Sequence, residues 1–250
     1  MALPTIVTPE YQCVIPSTGQ EITYRPFLMK EEKLLLLAQE AGELNEITKS
    51  IVTVLQSCIL TSDVDVNTLA TFDLEYIFVK LRSKSVGEII EFKLKHQELD
   101  GPTGTLESVC THETPAELNI DKVKVPELKV DKKINITDDI GVVLRYPTFK
   151  DLLDLETPNS LDLEDIETTD NIFKLIINCI DYVYDKENVY NEFTDEEMAD
   201  WVGNLNTDQF EKITDFYQNI PKLEHELKWT CKECKKEETL LLEGLQSFFT

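Results

Sequence analysis

The pattern of apolar and polar positions changes period several times along the chain, and each change marks an element. Residues 11–15 and 21–24 read as short extended stretches, with Pro16-Ser17-Thr18-Gly19-Gln20 between them supplying turn chemistry. Proline presets one dihedral and glycine tolerates positive φ, so a hairpin is the simplest expectation. Pro26 holds Arg25 extended and hands the chain over to helix, and Arg25 is expected to pin that junction. From Leu28 the spacing lengthens. Leu34, Leu37, Ala41 and Leu44 recur every three or four residues, and Ile47, Ile51, Val54, Leu55 and Cys58 do the same beyond a break at Gly42. This predicts two helices, or one interrupted at the glycine. A further helical region is expected over 74–81, continuing through 85–92.

The character shifts at Lys93. Gly101, Pro102 and Gly104 interrupt the chain, and period-two stretches follow over 117–125, 128–136 and 140–144. Pro126 marks a turn or a sheet edge. Tyr146-Pro147 closes this stretch, a short helix is predicted over 148–155, and 156–169 reads as an acidic, turn-rich connection. Phe173, Ile176, Ile177, Ile180 and Tyr184 lie on helical spacing over 172–183. Thr194 and Glu197 form a capping box, and the helix carrying Phe210, Ile213, Phe216, Tyr217 and Ile220 stops at Pro221. Strands are expected at 226–229 and 239–242 around a turn holding Cys231 and Cys234. No internal repeat spans the chain, although the two cysteine-bearing β segments echo one another.

The predicted class is therefore mixed α+β: helical blocks, a β-rich module and a C-terminal Cys-x2-Cys knuckle. Four segments follow: a hairpin plus helical region at 1–92, a β-rich middle at 93–147, an acidic connection and second helical region at 148–225, and a terminal hairpin at 226–250 packed on the middle.

Composition narrows the function. Of 250 residues 42% are hydrophobic, enough to bury a substantial core, while 48 acidic against 24 basic residues leave a net charge of −24. Such a charge repels phosphate backbones, and the longest basic runs, Lys132-Lys133 and Lys235-Lys236, are two residues each, so no direct nucleic-acid partner is expected. The apolar run at 34–38 falls far below the roughly 18 residues a membrane span needs. The opening residues lack a basic stretch followed by an apolar core, so neither insertion nor a signal peptide is expected. Cys58 and Cys179 sit inside apolar patterns and read as buried free thiols, which fits a reducing cytoplasm.

The sharpest chemical feature is Cys231-Lys232-Glu233-Cys234. Two thiolates at this spacing fold back onto one tetrahedral Zn²⁺. Cys110 and His112, preceded by His96, sit in a similar setting, which makes Cys231, Cys234, Cys110 and His112 the candidate ligands of a structural zinc. A knuckle kept without metal and a dithiol redox pair are the competing readings; the extended flanks argue against the redox pair, which favours a helix N-terminus. There is no His-Glu-x-x-His, phosphate loop or Gly-x-Ser-x-Gly elbow. Acidic pairs such as Asp138-Asp139 are expected by chance among so many carboxylates. Tyr182, Tyr184 and Tyr190 suit either an interface or the rim of a core.

Several ordered segments carry a resemblance. IPSTGQEITYRPFLMKEEKLLLLA (15–38), LRSKSVGEIIEFKL (81–94), VCTHETPAELNI (109–120), ITDDIGVVLRYPTFKDL (136–152) and LKWTCKECKKEETLLLEGLQSFF (227–249) resemble the baseplate proteins of T4-like contractile-tailed bacteriophages, the group that includes the baseplate hub assembly protein. Cys110-Thr111-His112 departs from a fuller Cys-x2-Cys in the middle of that pattern, leaving one composite metal site or none. The resemblance implies a non-enzymatic structural or assembly role in a tail baseplate or hub, with baseplate or hub proteins as partners. It also implies assembly in the host cytoplasm and a place in the virion tail. Leu240, Leu242, Leu245, Phe248 and Phe249 are then the expected contact residues. A zinc-dependent nucleic-acid adaptor and a thiol oxidoreductase are the alternatives.

Overall fold

A computed structural model of the chain describes residues 6–94, 112–125, 130–155, 168–233 and 235–244. The predicted first hairpin forms: β1 (Tyr11–Val14) pairs antiparallel with β2 (Glu21–Tyr24), and Gly19 takes a φ of 73° in the turn. α1 (Met29–Ala41) and α2 (Leu44–Cys58) are separate helices. Gly42 stands between them with φ 72°, its N–H donating to the carbonyls of Ala38 and Gln39, a left-handed C-cap that a side chain would strain. α2 spends its apolar stripe on the core, with Ile51, Val54, Leu55 and Cys58 all at 1% exposure or less.

α3 (Thr71–Ser85) is the central helix. Phe72, Leu74, Ile77, Phe78, Val79 and Leu81 are all buried, so apolar residues cover nearly its whole circumference. The expected continuation of helix through 85–92 is overturned. α3 stops at Ser85, Gly87 adopts φ 138°, and β3 (Ile89–Leu94) pairs with β4 (Thr114–Asn119). Ile90, Phe92 and Leu94 recur every second residue, and β3 turns Ile90 into the core opposite Leu118.

β5 (Lys133–Asn135), β6 (Gly141–Leu144), β7 (Ile180–Tyr184) and β8 (Val189–Tyr190) make an antiparallel four-stranded sheet in that order. This corrects a second expectation. α5 (Thr169–Asn178) ends before Ile180 and Tyr184, which belong to a strand beside β6. The i, i+3/i+4 spacing of Ile176, Ile177 and Ile180 is indistinguishable from a continuing helix until a partner strand exists to capture the β-branched residues. α4 (Phe149–Leu153), α6 (Asp195–Gly203) and α7 (Thr207–Gln218) complete the helices. The Thr194–Glu197 capping box forms as predicted, the Thr194 N–H donating to Glu197 Oε2 at 2.8 Å.

β9 (Glu224–Thr230) and β10 (Glu237–Glu243) form the terminal hairpin. Two apolar clusters result. One gathers β1, β2, α1–α4, β3, β4, Leu175, Cys179 and Leu242; the other gathers β6, β7, α6, α7, Ile176 of α5 and Phe72. The parts of the sequence pattern at 95–111, 126–129, 156–167 and 245–250 lie outside the described residues.

Candidate functional site

Three features stand out as places where the chain invests polar chemistry: two arginine clamps, the terminal hairpin and the sheet edges. Arg25 leaves β2 and its backbone N–H donates to the Cys58 carbonyl at 3.0 Å, while its guanidinium reaches the Ser57 carbonyl (3.0 Å), the Pro26 carbonyl (2.9 Å) and Glu31 Oε1 (2.9 Å). Glu31 returns its other oxygen to the Leu28 N–H at 2.8 Å, closing the first turn of α1 in place of a side-chain cap that leucine cannot supply. The junction role expected of Arg25 is thus met by four hydrogen bonds of its own.

The same arrangement recurs 120 residues later. Arg145 leaves β6, its N–H donates to the Cys179 carbonyl at 2.9 Å, and its guanidinium bonds the carbonyls of Asn178 and Tyr146 and grips Asp151 bidentately at 2.6 and 2.7 Å. Asp151 in turn accepts from the Thr148 N–H at 2.8 Å at the start of α4. Even the flanking pairings match: Tyr24 bridges Ile59 as Leu144 pairs with Ile180, each joining the residue before the arginine to the residue after the cysteine. A hairpin, an arginine, a capped helix and a second helix therefore occur twice, the chain then returning beside the hairpin as an isolated bridge at Ile59 in the first case and as β7 in the second. The sequence echo is short and scattered: the arginine, a nearby proline, the lysine and acid five and six residues on, and the Cys-Ile pairs Cys58-Ile59 and Cys179-Ile180 recur, while most other equivalent side chains differ.

Burial pushes the Glu31 carboxyl up, but hydrogen bonds from Arg25, Leu28 and Lys30 outweigh it and hold the group below the usual carboxylate range. Asp151 behaves alike, its burial opposed by Arg145 and Thr148. The thiols beside the clamps are closed to chemistry: burial pushes Cys58 up to about 11 and Cys179 to about 12, as expected for packed free cysteines.

The terminal hairpin carries the predicted site residues. Cys231 follows β9, is fully buried, and its N–H donates to the Lys236 carbonyl at 2.9 Å; Lys235 turns back with φ 62° and donates to the Cys231 carbonyl. The hairpin lies against the β3–β4 hairpin, with Lys124 bridged to Glu224 and the Lys232 N–H reaching Thr114 Oγ1 at 3.4 Å. His112 stands two residues before that Thr114, so its segment is brought to the Cys231 turn. Cys110 and Cys234 lie outside the described residues, as do Leu245, Phe248 and Phe249. Among the described residues no group of three metal-ligating side chains converges. Of the expected contact residues that are described, Leu242 is buried in the first cluster and Leu240 packs against it, while Leu241 between them is 49% exposed. Tyr182, Tyr184 and Tyr190 lie on β7 and β8, and Tyr184 donates to Asn135 Oδ1 across the sheet.

The sheet edges went unmarked in the sequence, because which strand is last in a sheet is a property of pairing. β1 is one such edge, and β5 and β8 are the edges of the four-stranded sheet. No helix among the described residues is long and apolar enough to cross a membrane.

Against known proteins, no curated protein and no solved structure matches the chain. The family model of the T4 bacteriophage base plate protein matches residues 8–250, which takes in both arginine clamps and the terminal hairpin. Extending over nearly the whole sequence, that match agrees with the resemblance carried by the five quoted segments, and the chain belongs to the T4 bacteriophage base plate protein family, with a structural role in the phage base plate.

Proposed function

We propose that the protein is a non-enzymatic structural or assembly component of the hub region of a contractile-tail baseplate. It acts through protein–protein contacts, joins its partners in the host cytoplasm and stays in the virion tail. The observation that carries this reading is the family match over residues 8–250, nearly the whole of the sequence. The physical character agrees. Several small sheets with free edges, set on helices, present many short contact surfaces, and a net charge of −24 keeps the free subunit soluble and steers basic partners to it. Removing the protein during infection should stop tail formation at a hub or baseplate intermediate. Mass spectrometry of purified tails should find it in the finished particle. Normal tails assembled in its absence would discard the reading, and its presence in intermediates but not in tails would make it a transient assembly factor.

A structural zinc held by Cys231, Cys234, Cys110 and His112 belongs to the same proposal. What supports it is the side-by-side placement of the two hairpins, which carries the segment of His112 to the turn of Cys231 through Thr114 and Lys232. The metal would staple the hairpins, a task in which binding and folding are linked. Protein purified without chelator should carry about one zinc per chain, and Cys231→Ser/Cys234→Ser should lose it and melt lower. Metal-free protein whose stability is indifferent to the double substitution would eliminate the site.

A further inference from the structure

Comparing the two occurrences of the hairpin–arginine–helix unit shows one difference in how they treat their outer edge. In the first unit, Ile15 donates to Gln20, so the bonded pairs alternate as Ile15–Gln20, Cys13–Ile22 and Tyr11–Tyr24. Thr23 confirms the phase: its carbonyl accepts from Leu60 and its N–H donates to Thr61 Oγ1, both on the side away from β1. The backbone N–H and C=O groups of Gln12 and Val14 must then point away from β2. No other strand pairs with β1 among the described residues.

In the second unit the corresponding edge is β5, and it is stopped. Leu144 donates to the Lys132 carbonyl and Ile136 to the Ile140 carbonyl, which turns Lys133 and Asn135 outward. The Lys133 N–H is taken by Asp131 Oδ1 at 2.9 Å, and the Asn135 carbonyl accepts from Lys212 Nζ at 3.2 Å. Side chains that occupy outward backbone groups are the usual way an edge is kept from pairing with another chain. Among the described residues β1 has no such stopper. Its core-facing side chains, Tyr11 and Cys13, remain half-exposed, whereas their neighbours on β2, Ile22 and Tyr24, are 0% and 2% exposed. Val14, on the strand's solvent face, is 50% exposed.

We infer that the outer edge of β1 is a strand-acceptor site, taking an extended segment of another baseplate protein that pairs with the backbone of Gln12 and Val14. The inference rests on the baseplate reading above. The segment alternates. Its inward side chains are apolar, to cover Tyr11 and Cys13; its outward side chains are basic, because the exposed carboxylates of Glu10 and Glu21 border the strand. A second copy is disfavoured on charge, since it would bring together two chains of −24 each.

The test uses the full chain, baseplate intermediates purified from infected cells, and peptides tiling the phage's own baseplate proteins. Because the Gln12 N–H makes no bond to β2, Gln12→Pro removes only the donor an incoming strand needs, in a backbone region that suits proline. Lys133→Pro at the stopped edge is the control. Gln12→Pro is expected to keep its fold and lose affinity for intermediates by about tenfold or more, Lys133→Pro is expected to bind as wild type, and the tightest peptides are expected to alternate apolar and basic residues. In the wild type, the Gln12 and Val14 amides should exchange rapidly when free and slow by about tenfold or more on binding, a readout that decides the matter even if Gln12→Pro misfolds. Binding that ignores Gln12→Pro and leaves both amides unprotected overturns the acceptor edge while leaving the baseplate reading intact. Wild type that associates with no intermediate overturns the baseplate reading itself. A dimer of the chain alone, abolished by Gln12→Pro, replaces the proposed partner with a second copy.

Discussion

Arg25→Ala is expected to cost about 3 kcal/mol of folding stability, the penalty for leaving a buried carboxylate with only the solvent-exposed Lys30 as its cation. The Arg25 side chain is 14% exposed and Glu31 only 5%, so water does little to screen what remains. The substitution also removes the donor to the Ser57 and Pro26 carbonyls. Arg25→Lys should recover only part of the loss, because an ammonium cannot span those carbonyls and the carboxylate as the planar fork does. Removing Glu31 as well should restore more than half of it. Arg145→Ala is expected to cost less, about 1.5–3 kcal/mol, despite its bidentate grip, because its side chain is 38% exposed and water can replace it in part.

Acid distinguishes the clamp from ordinary packing. Glu31 has a lower carboxyl pKa folded than unfolded, so its contribution is present above the unfolded value of about 4.3 and lost as pH falls through the folded value. The Arg25→Ala penalty should therefore shrink on acidification below about pH 4, once the abandoned carboxyl is protonated. Asp73 works in the opposite sense. Burial raises it in spite of hydrogen bonds from the Ser17 N–H and hydroxyl, so its protonation favours the fold at low pH and its ionisation weakens it as pH rises. Urea titrations of wild type and Arg25→Ala from pH 7 to 3 measure the difference; a penalty independent of pH would mean that lost packing, not the stranded charge, is responsible.

Phe72→Ala is expected to be comparably damaging, about 3–5 kcal/mol, for a different reason. Phe72 is 1% exposed and sits at the head of α3, whose other buried residues, among them Leu74, Ile77, Phe78 and Leu81, belong to the first cluster. Phe72 alone on that helix enters the second, meeting the Tyr146 ring edge-on at 5.0 Å between centroids. Beside it the Thr71 N–H donates to the Pro147 carbonyl, and Ala70 bridges Thr148. This is a seam between the two clusters, which α5 also joins through Leu175 and Ile176. A cavity here should lower stability and also separate the unfolding of the two clusters. Trp201 packs on the second cluster, so its fluorescence should then depart from the far-UV transition. Coincident transitions with a loss below about 1 kcal/mol would show that the seam does not couple them.

Local chemistry determined a good deal of this protein by itself. The first hairpin follows from Pro16 to Gly19, the break after α1 from Gly42, the start of α6 from Thr194 and Glu197, and the end of α7, at Gln218, from Pro221. These depend on dihedrals and on hydrogen bonds within a few residues, which a linear pattern records. The baseplate kinship was likewise legible, because it is carried by ordered segments of sequence. Where an element's identity depends on a distant partner, the pattern fell short. Ile180–Tyr184 and Ile89–Leu94 are strands because β6 and β4 lie beside them, and a run of β-branched residues without a visible partner suits helix as well. The duplicated unit is hidden for a related reason. It is conserved in what Arg25 and Arg145 touch, mainly backbone carbonyls and one carboxylate, and carbonyls have no residue identity to repeat. The open edge of β1 and the stopped edge of β5 were decided by tertiary structure alone, since a backbone group is free or occupied only once every neighbouring strand and side chain has taken its place.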